Sequence, residues 1–296
     1  MHCLEPNIVG YDVAFACCPV CGETGYQAYA QFPQFIWVRC ACDLVYKKFV
    51  LEATPEPQVG GEGSFGETGY GRRYDRRHAH RVGKSGRQLR DACRFLSGDA
   101  AAAPRTVLDV GCSLGYTLEA AARLGMMPTG VDVSQVAVDS CRKLGFPADV
   151  AGLEQLPYPD GQFCVVVMKH VLEHTRDPAA ALREARRVLK PGGVLFVAVP
   201  NADYRKAAAR PSSSRFYRPD AHGGVEHWVY YTPATLTRLM DKAGLAVVRI
   251  HPLLVHPNAS SMARVLEWLA YPIRRALQGA LTVLRLRKEF WLISAR

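Results

Sequence analysis

From Thr106 onward, short apolar runs alternate with stretches in which apolar residues return every three or four positions. Thr106-Val-Leu-Asp-Val110 reads as a buried strand, and Gly111-Cys-Ser-Leu-Gly115 as a tight glycine-rich turn. Tyr116 to Leu124 follows as a helix with one apolar stripe. Gly130-Val-Asp-Val-Ser134 is a second strand that ends on an acidic residue, and Val136 to Leu144 repeats the helical spacing. Ala179 to Leu189 is predicted as a helix with Pro178 in its first turn, ended by Lys190-Pro-Gly-Gly193. Thr232 to Gly244 repeats that grammar of cap, first-turn proline, apolar stripe and terminal glycine. Leu245 to Ile250 and Glu289 to Arg296 read as strands. Alternation of strand and helix implies a mostly parallel sheet with helices on both faces.

The rest of the chain is less regular. Thr54 to Gly71, rich in Pro, Gly and Glu, reads as a connector or lid. Arg72 to Arg81 begins a basic helical segment that continues, interrupted by Gly83 and Gly86, to Phe95. Tyr70, Tyr74 and the nearby arginines could meet a phosphate or carboxylate of the substrate, or form a solvated basic face. From Ala263 to Leu286, Leu266, Leu269, Ile273, Leu277, Leu281 and Leu284 recur at helical spacing around Pro272. Two amphipathic helices fit this pattern. Arg274 and Arg275 flank a stripe that would pack on the domain, or lie at a membrane surface if the acceptor is lipid-linked.

The glycine turn carries the first chemical signal. A backbone without Cβ atoms can approach a ligand closely, and the N–H groups of the helix start favour an electronegative group. Asp132 lies about 20 residues further on, the spacing at which a carboxylate can grip both hydroxyls of a ribose. The Asp109 to Gly115 run, Asp132, Leu156 to Phe163, Val165 to His174 and Val188 to Asn201 come in the order found in class I S-adenosylmethionine-dependent methyltransferases. The segment from Thr106 to Asn201 closely resembles that family. Ser113 stands where the family has its middle glycine, and Cys164 where it has an acidic residue after a phenylalanine. A small residue such as Ser113 is expected to permit close approach, provided that its backbone does not require positive φ.

The resemblance implies a Rossmann-like seven-stranded sheet with its last strand inserted antiparallel, and S-adenosylmethionine as cofactor. It places the ribose on Asp132 beside Val133, and the methionine end near Asp109, Gly111, Cys112, Ser113 and Gly115. The adenine falls at Leu153 and Glu154, with Lys169 and His170 on the cleft floor. If the acceptor is a hydroxyl, His170, His174, His222 and His227 are candidates to take its proton.

With 296 residues and 49% hydrophobic content, the chain can bury one large core and support an appendage. The net charge of +10 favours anionic partners without choosing among small molecules, nucleic acid and membrane. No stretch approaches the ~18–20 apolar residues of a spanning helix, and no export signal opens the chain, so a cytoplasmic location is expected. Cys112, Cys141 and Cys164 read as reduced core residues.

The N-terminal cysteines differ. Cys18-Pro-Val-Cys21 and Cys40-Ala-Cys42 could place four sulfurs on one structural zinc, with Cys3 and Cys17 as spares, or could be unligated thiols on a hairpin. The segment resembles the small zinc ribbons that precede many bacterial methyltransferase domains. Phe35, Trp37, Arg39, Tyr46 and Lys47 partly match the interleaving of aromatics and cations used on nucleic acid.

The predicted organisation is a zinc-ribbon-like module over 1–53, a linker and basic helical cap over 54–104, and a methyltransferase domain over 105–296 with a helical insertion near 253–286. The expected activity is methyl transfer to a small-molecule or glycan hydroxyl. A lipid-linked or quinone-type acceptor is one alternative, and a non-catalytic nucleic-acid-binding module another. Oligomeric state is not predicted.

Overall fold

The computed structural model describes residues 11–51, 77–102, 104–204, 208–219, 226–252 and 289–296. The predicted connector over Thr54 to Gly71, Tyr70, Tyr74, Cys3, His222 and the helical insertion lie outside the described residues.

Four N-terminal strands, β1 (Tyr11–Val13), β2 (Tyr26–Gln31), β3 (Phe35–Cys40) and β4 (Val45–Leu51), form an antiparallel sheet in the order β1-β4-β3-β2. Helix α1 (His78–Ala92) and the short α2 (Gly98–Ala101) lead into the strand-and-helix alternation. That run is β5 (Thr106–Val110), α3 (Tyr116–Ala122), β6 (Met127–Asp132), α4 (Gln135–Lys143), β7 (Ala148–Val150), β8 (Phe163–Lys169), α5 (Pro178–Val188) and β9 (Leu189–Pro200). It closes with β10 (Val229–Tyr230), α6 (Pro233–Lys242), β11 (Ala246–Pro252) and β12 (Glu289–Ala295).

The main sheet has seven strands in the order β11-β12-β9-β8-β5-β6-β7. Pairings from β9 across to β7 are parallel, while β12 is antiparallel to both neighbours, as expected for the inserted last strand. Strand order reverses at β5, whose chain successor β6 lies on one side and β8 on the other. A crevice opens at such a point, because the following loops diverge to opposite faces.

Local chemistry explains the helix boundaries. The Ser134 hydroxyl accepts the Ala137 N–H at the start of α4, and Asp177 accepts that of Ala180 before α5. Thr232 and Thr235 exchange side-chain and backbone hydrogen bonds in a capping box that starts α6.

The helix expected before Lys190-Pro-Gly-Gly193 ends at Val188, and those four residues lie within β9, as an irregular stretch between the Phe163–Leu189 and Val165–Val194 pairs. Two expectations need correction. Helix α1 continues through Gly83 and Gly86, since its buried stripe of Val82, Leu89 and Ala92 packs on Val107, Tyr116 and Val165, and burial outweighs the weak glycine propensity. Phe35, Trp37, Tyr46 and Lys47 are buried, so they offer no surface for nucleic acid.

Those aromatics join the two sheets. Strand β10 pairs antiparallel with β4, and the Lys47 N–H donates to the Trp228 carbonyl at 2.9 Å. Trp37 packs edge-on to Tyr217 and tilted against Tyr230, and donates its indole N–H to the Tyr217 carbonyl at 3.1 Å. Ile36, Val38, Tyr46 and Phe49 of the N-terminal sheet share a hydrophobic core with Leu108, Val166 and Leu195 of the main sheet.

Candidate active site

A cleft of about 860 Å³ opens at the carboxyl ends of β5, β6 and β8. On one side, the β5–α3 loop turns with Gly111 at φ 77° and Ser113 at φ 49°. Gly111 has two reasons to lack a side chain: its left-handed backbone, and the Val171 Cγ1 that would lie 2.1 Å from a Cβ there. Close approach at Ser113 was expected provided that its backbone avoided positive φ. That condition is not met: Ser113 takes a left-handed conformation that an L-residue adopts at some cost.

Asp132, at the end of β6, accepts the Ser113 N–H at 2.9 Å and the Ser134 N–H at 3.0 Å. Burial raises its carboxyl above the ordinary range, while these backbone N–H groups pull in the opposite direction. Val133, Gly152, Leu153 and Glu154 continue this wall, where the Thr175 hydroxyl donates to Glu154.

The floor carries opposite charges. Burial pushes the Asp109 carboxyl up to about 7 and brings Lys169 down to about 8, each opposed by the other's charge. No direct ion pair joins them. Lys169 Nζ instead donates to Ser85 Oγ at 2.8 Å, which lies 3.4 Å from the Thr117 hydroxyl. Gln88, only 7% exposed, lines the same floor with both amide atoms unbonded.

Beyond Lys169 lies a cluster of imidazoles. The fully buried Glu173 has His170 Nδ1 at 3.3 Å and His227 Nε2 at 3.9 Å. Burial opposes its ionisation, but the histidines outweigh that and hold the carboxyl below its usual range. His170 also meets Glu289 at 2.8 Å; its ring is half-exposed, and against the partial burial that opposes its charging the two acids raise it to about 9. His174 Nδ1 donates to the Glu226 carbonyl at 3.2 Å, which leaves Nε2 as the acceptor nitrogen. The ligand atoms of Glu173, His174 and His227 lie within 4.8 Å of one another and could hold a cation.

Asp109, Gly111, Cys112, Ser113, Asp132, Val133, Leu153, Glu154, Lys169, His170, His174 and His227 thus meet along one cleft. Gly115 does not line it: at φ 77° it starts α3 and packs toward Cys141 and Leu144. Sequence reasoning missed Ser85, Gln88 and Glu289. The i, i+3 spacing of Ser85 and Gln88 places them on one helical face, yet no local signal indicates that this face meets the cleft.

The N-terminal cysteines converge. The sulfurs of Cys18, Cys21, Cys40 and Cys42 lie within 4.8 Å of one another, with Cys18–Cys42 at 3.7 Å and Cys21–Cys40 at 3.4 Å. Burial raises the Cys18 thiol and brings Cys42 up to about 11. Cys17 is free and partly buried.

The profile of a family described as "Methyltransferase domain" matches residues 76–250, more than half of the chain. The chain is 31% identical over 159 residues to a ubiquinone biosynthesis O-methyltransferase of Methylobacterium nodulans, spanning 51% of this chain and 64% of that protein. A protein of the same name from Xanthomonas oryzae is 30% identical over 193 residues, spanning 61% of this chain and 80% of the relative. Among solved structures, a chain from the complex of the Haloferax volcanii Trm112 methyltransferase activator with a methyltransferase shares the fold. Its TM-score is 0.54 at 19% identity, covering 80% of this chain and 98% of that one. A Thermotoga maritima S-adenosylmethionine-dependent methyltransferase does so at TM-score 0.51 and 19% identity, covering 76% and 94%. With the sheet order, the glycine loop and the matched profile together, the chain belongs to the class I S-adenosylmethionine-dependent methyltransferases.

Proposed function

We propose that this methyltransferase acts on a phenolic hydroxyl of a quinone-type small molecule. The support is the name shared by the relatives, ubiquinone biosynthesis O-methyltransferase, together with a cleft that places imidazoles beside the cofactor wall. The names favour this acceptor over the glycan hydroxyl expected from sequence. Nucleic acid is disfavoured by the burial of the N-terminal aromatics. No helix among the described residues is long and apolar enough to cross a membrane.

The cleft fits the cofactor. Gly111 lets the Val171 side chain pack directly against the loop, and Asp132 presents a buried carboxylate beside it. Asp109 suits an ammonium, while Lys169, Ser85 and the unbonded Gln88 amide suit a carboxylate, the two ends of an amino acid. When bound, the cofactor supplies an electrophilic methyl on sulfur. The chain's part is to hold the acceptor in line, exclude water and receive a proton. His174, with Nδ1 fixed by the Glu226 carbonyl, has a lone pair on Nε2 for that proton. His170 is less suited, since its two acid partners keep it protonated at neutral pH.

The cysteine cluster fits one zinc ion. A tetrahedral site with Zn–S bonds of about 2.3 Å requires sulfurs about 3.8 Å apart, close to the separations seen. A divalent cation would also offset the burial that disfavours thiolates there. In this reading the N-terminal sheet, β1 to β4, is a scaffold for the acceptor side, through the pairing of β4 with β10.

The test is incubation with methyl-labelled S-adenosylmethionine and a catechol, with the product analysed for the site of label. An aryl methyl ether is expected. Label on carbon or nitrogen, or no transfer to any hydroxylated ring tried, would count against the proposal.

A further inference from the structure

The chain between β7 and β8, residues 151–162, carries one wall of the cleft yet has no regular secondary structure, so its backbone groups need partners from elsewhere. Ala151, Gly152, Leu153 and Glu154 line the cleft at its start, and Glu154 accepts the Thr175 hydroxyl.

The second half of this loop is held by one side chain. Arg187, near the end of α5, donates from Nη1 to the Tyr158 carbonyl and to Asp160 Oδ1, each at 2.8 Å, and from Nη2 to the Leu156 carbonyl at 3.0 Å. Its Nε and Nη2 also donate to the two oxygens of Glu184, both at 2.8 Å. A guanidinium has five N–H bonds, and these five contacts use them all. Glu184 returns to the same loop: its Oε2 accepts the Leu156 N–H at 2.9 Å, while the Arg187 carbonyl accepts that of Gly161 at 3.0 Å. From the other side, the Tyr158 hydroxyl lies 3.0 Å from the Gly130 carbonyl of β6 and 3.1 Å from Asp149 Oδ2 of β7.

We infer that Arg187 is a positioning residue for the nucleobase: with Glu184 it fixes the loop so that Leu153 and Glu154 are presented to the adenine. Arg187 is not among the residues that line the cleft, so it acts through the loop. Holding an irregular loop in one conformation before the ligand arrives removes an ordering cost from binding. A lysine would keep the charge but has three donors and no planar fork, so it cannot replace Arg187. The inference rests on the cofactor reading of this cleft. A carboxylate such as Glu154 accepts hydrogen bonds and suits the amino group of adenine, whereas hypoxanthine presents a carbonyl oxygen there.

The test is calorimetric titration of the full chain with S-adenosylhomocysteine, 5′-methylthioadenosine and S-inosylhomocysteine, in which hypoxanthine replaces adenine. The wild type should bind S-adenosylhomocysteine at least about tenfold more tightly than S-inosylhomocysteine. Arg187→Lys should weaken S-adenosylhomocysteine and 5′-methylthioadenosine, which lacks the amino-acid end, by the same factor of about ten, and should bring the preference for adenine close to none. Glu184→Gln, which keeps a carbonyl oxygen for the fork and loses the charge, should show the same pattern at smaller size. It carries the test if Arg187→Lys fails to fold.

Unchanged affinities, or a lowered melting temperature with the preference for adenine intact, would make Arg187 a residue of the fold alone and overturn the inference. So would a loss confined to S-adenosylhomocysteine, since the effect would then lie at the amino-acid end, or a wild type with no preference for adenine. A wild-type protein that binds no nucleoside would instead sink the cofactor reading, and this inference with it.

Discussion

The backbone N–H of Ser113 donates to the Asp132 carboxylate at 2.9 Å and so ties the glycine loop to the end of the neighbouring strand. In the proposed reading the same carboxylate also holds the ribose, so it would organise the loop and bind the ligand together. Asp132→Ala should weaken S-adenosylhomocysteine by about 100-fold in a calorimetric titration, since hydrogen bonds to a charged group are worth roughly 1.5–3 kcal/mol. Unchanged affinity would remove Asp132 from both roles.

Gly111 is the loop position least tolerant of a side chain. Gly111→Ala combines a φ of 77° with a Cβ 2.1 Å from Val171 Cγ1, so either the loop or Val171 must move. Cofactor affinity should fall at least about tenfold, with thermal stability lowered by only a few degrees because the loop borders the cleft rather than the centre of the core. Ser113→Gly should be tolerated with near-normal affinity, because it removes the cost of a left-handed serine.

Metal analysis should find about one zinc per chain, and Cys40→Ser should lower that content. Loss of the metal should be felt beyond the four sulfurs. Strand β4 pairs with β10, and His227 lies two residues before β10, so hydrogen exchange at Val229 and Tyr230 should accelerate after chelation. Unchanged protection at those amides would show that the N-terminal sheet does not support this side of the cleft.

The His170–Glu289 pair predicts a pH dependence of stability. Although burial opposes the shift, His170 and Lys84 lower the Glu289 carboxyl from 4.5 to about 2; its contribution is present above pH 4.5 and disappears as pH falls through about 2. His170 moves the other way, from 6.5 to about 9, so its share is complete below pH 6.5 and is lost as pH rises through about 9. Both contributions are full between roughly pH 4.5 and 6.5. His170 is half-exposed, so solvent screening limits their size. Wild-type urea midpoints should decline from pH 6 to 10 more steeply than those of Glu289→Gln. Parallel profiles would refute the coupling.

His174 gives a separate prediction. His174→Ala should lower turnover of a phenolic acceptor by about 100-fold or more while leaving cofactor affinity intact, the signature of a lost proton acceptor. Activity that survives this change would move the proton to His227 or to solvent.

Wherever the governing chemistry is local, it could be read from the chain. The run from Thr106 to Gly115 specifies a strand, a tight turn and a helix start through hydrophobic pattern and glycine placement, and Asp132 follows at a fixed distance because one strand–helix–strand unit has a nearly fixed length. The caps at Asp177 and Thr232 are equally local. Tertiary structure decided the rest. Lys190 to Gly193 carries helix-stop residues and α5 does end before it, but only the β8 pairings on either side, at Leu189 and Val194, make it part of a strand. His170 and Glu289 are 119 positions apart and meet only because β12 inserts beside β9. Ser85 and Gln88 occupy one face of α1, but only its packing on α3 and the main sheet turns that face toward the floor of the cleft. The cysteine spacings offered two pairs; pairing of β2 with β3, which sets Tyr26 opposite Cys40, brought them into one cluster. A sequence encodes periodicity and turn chemistry residue by residue, whereas contacts between distant segments depend on which buried faces find each other.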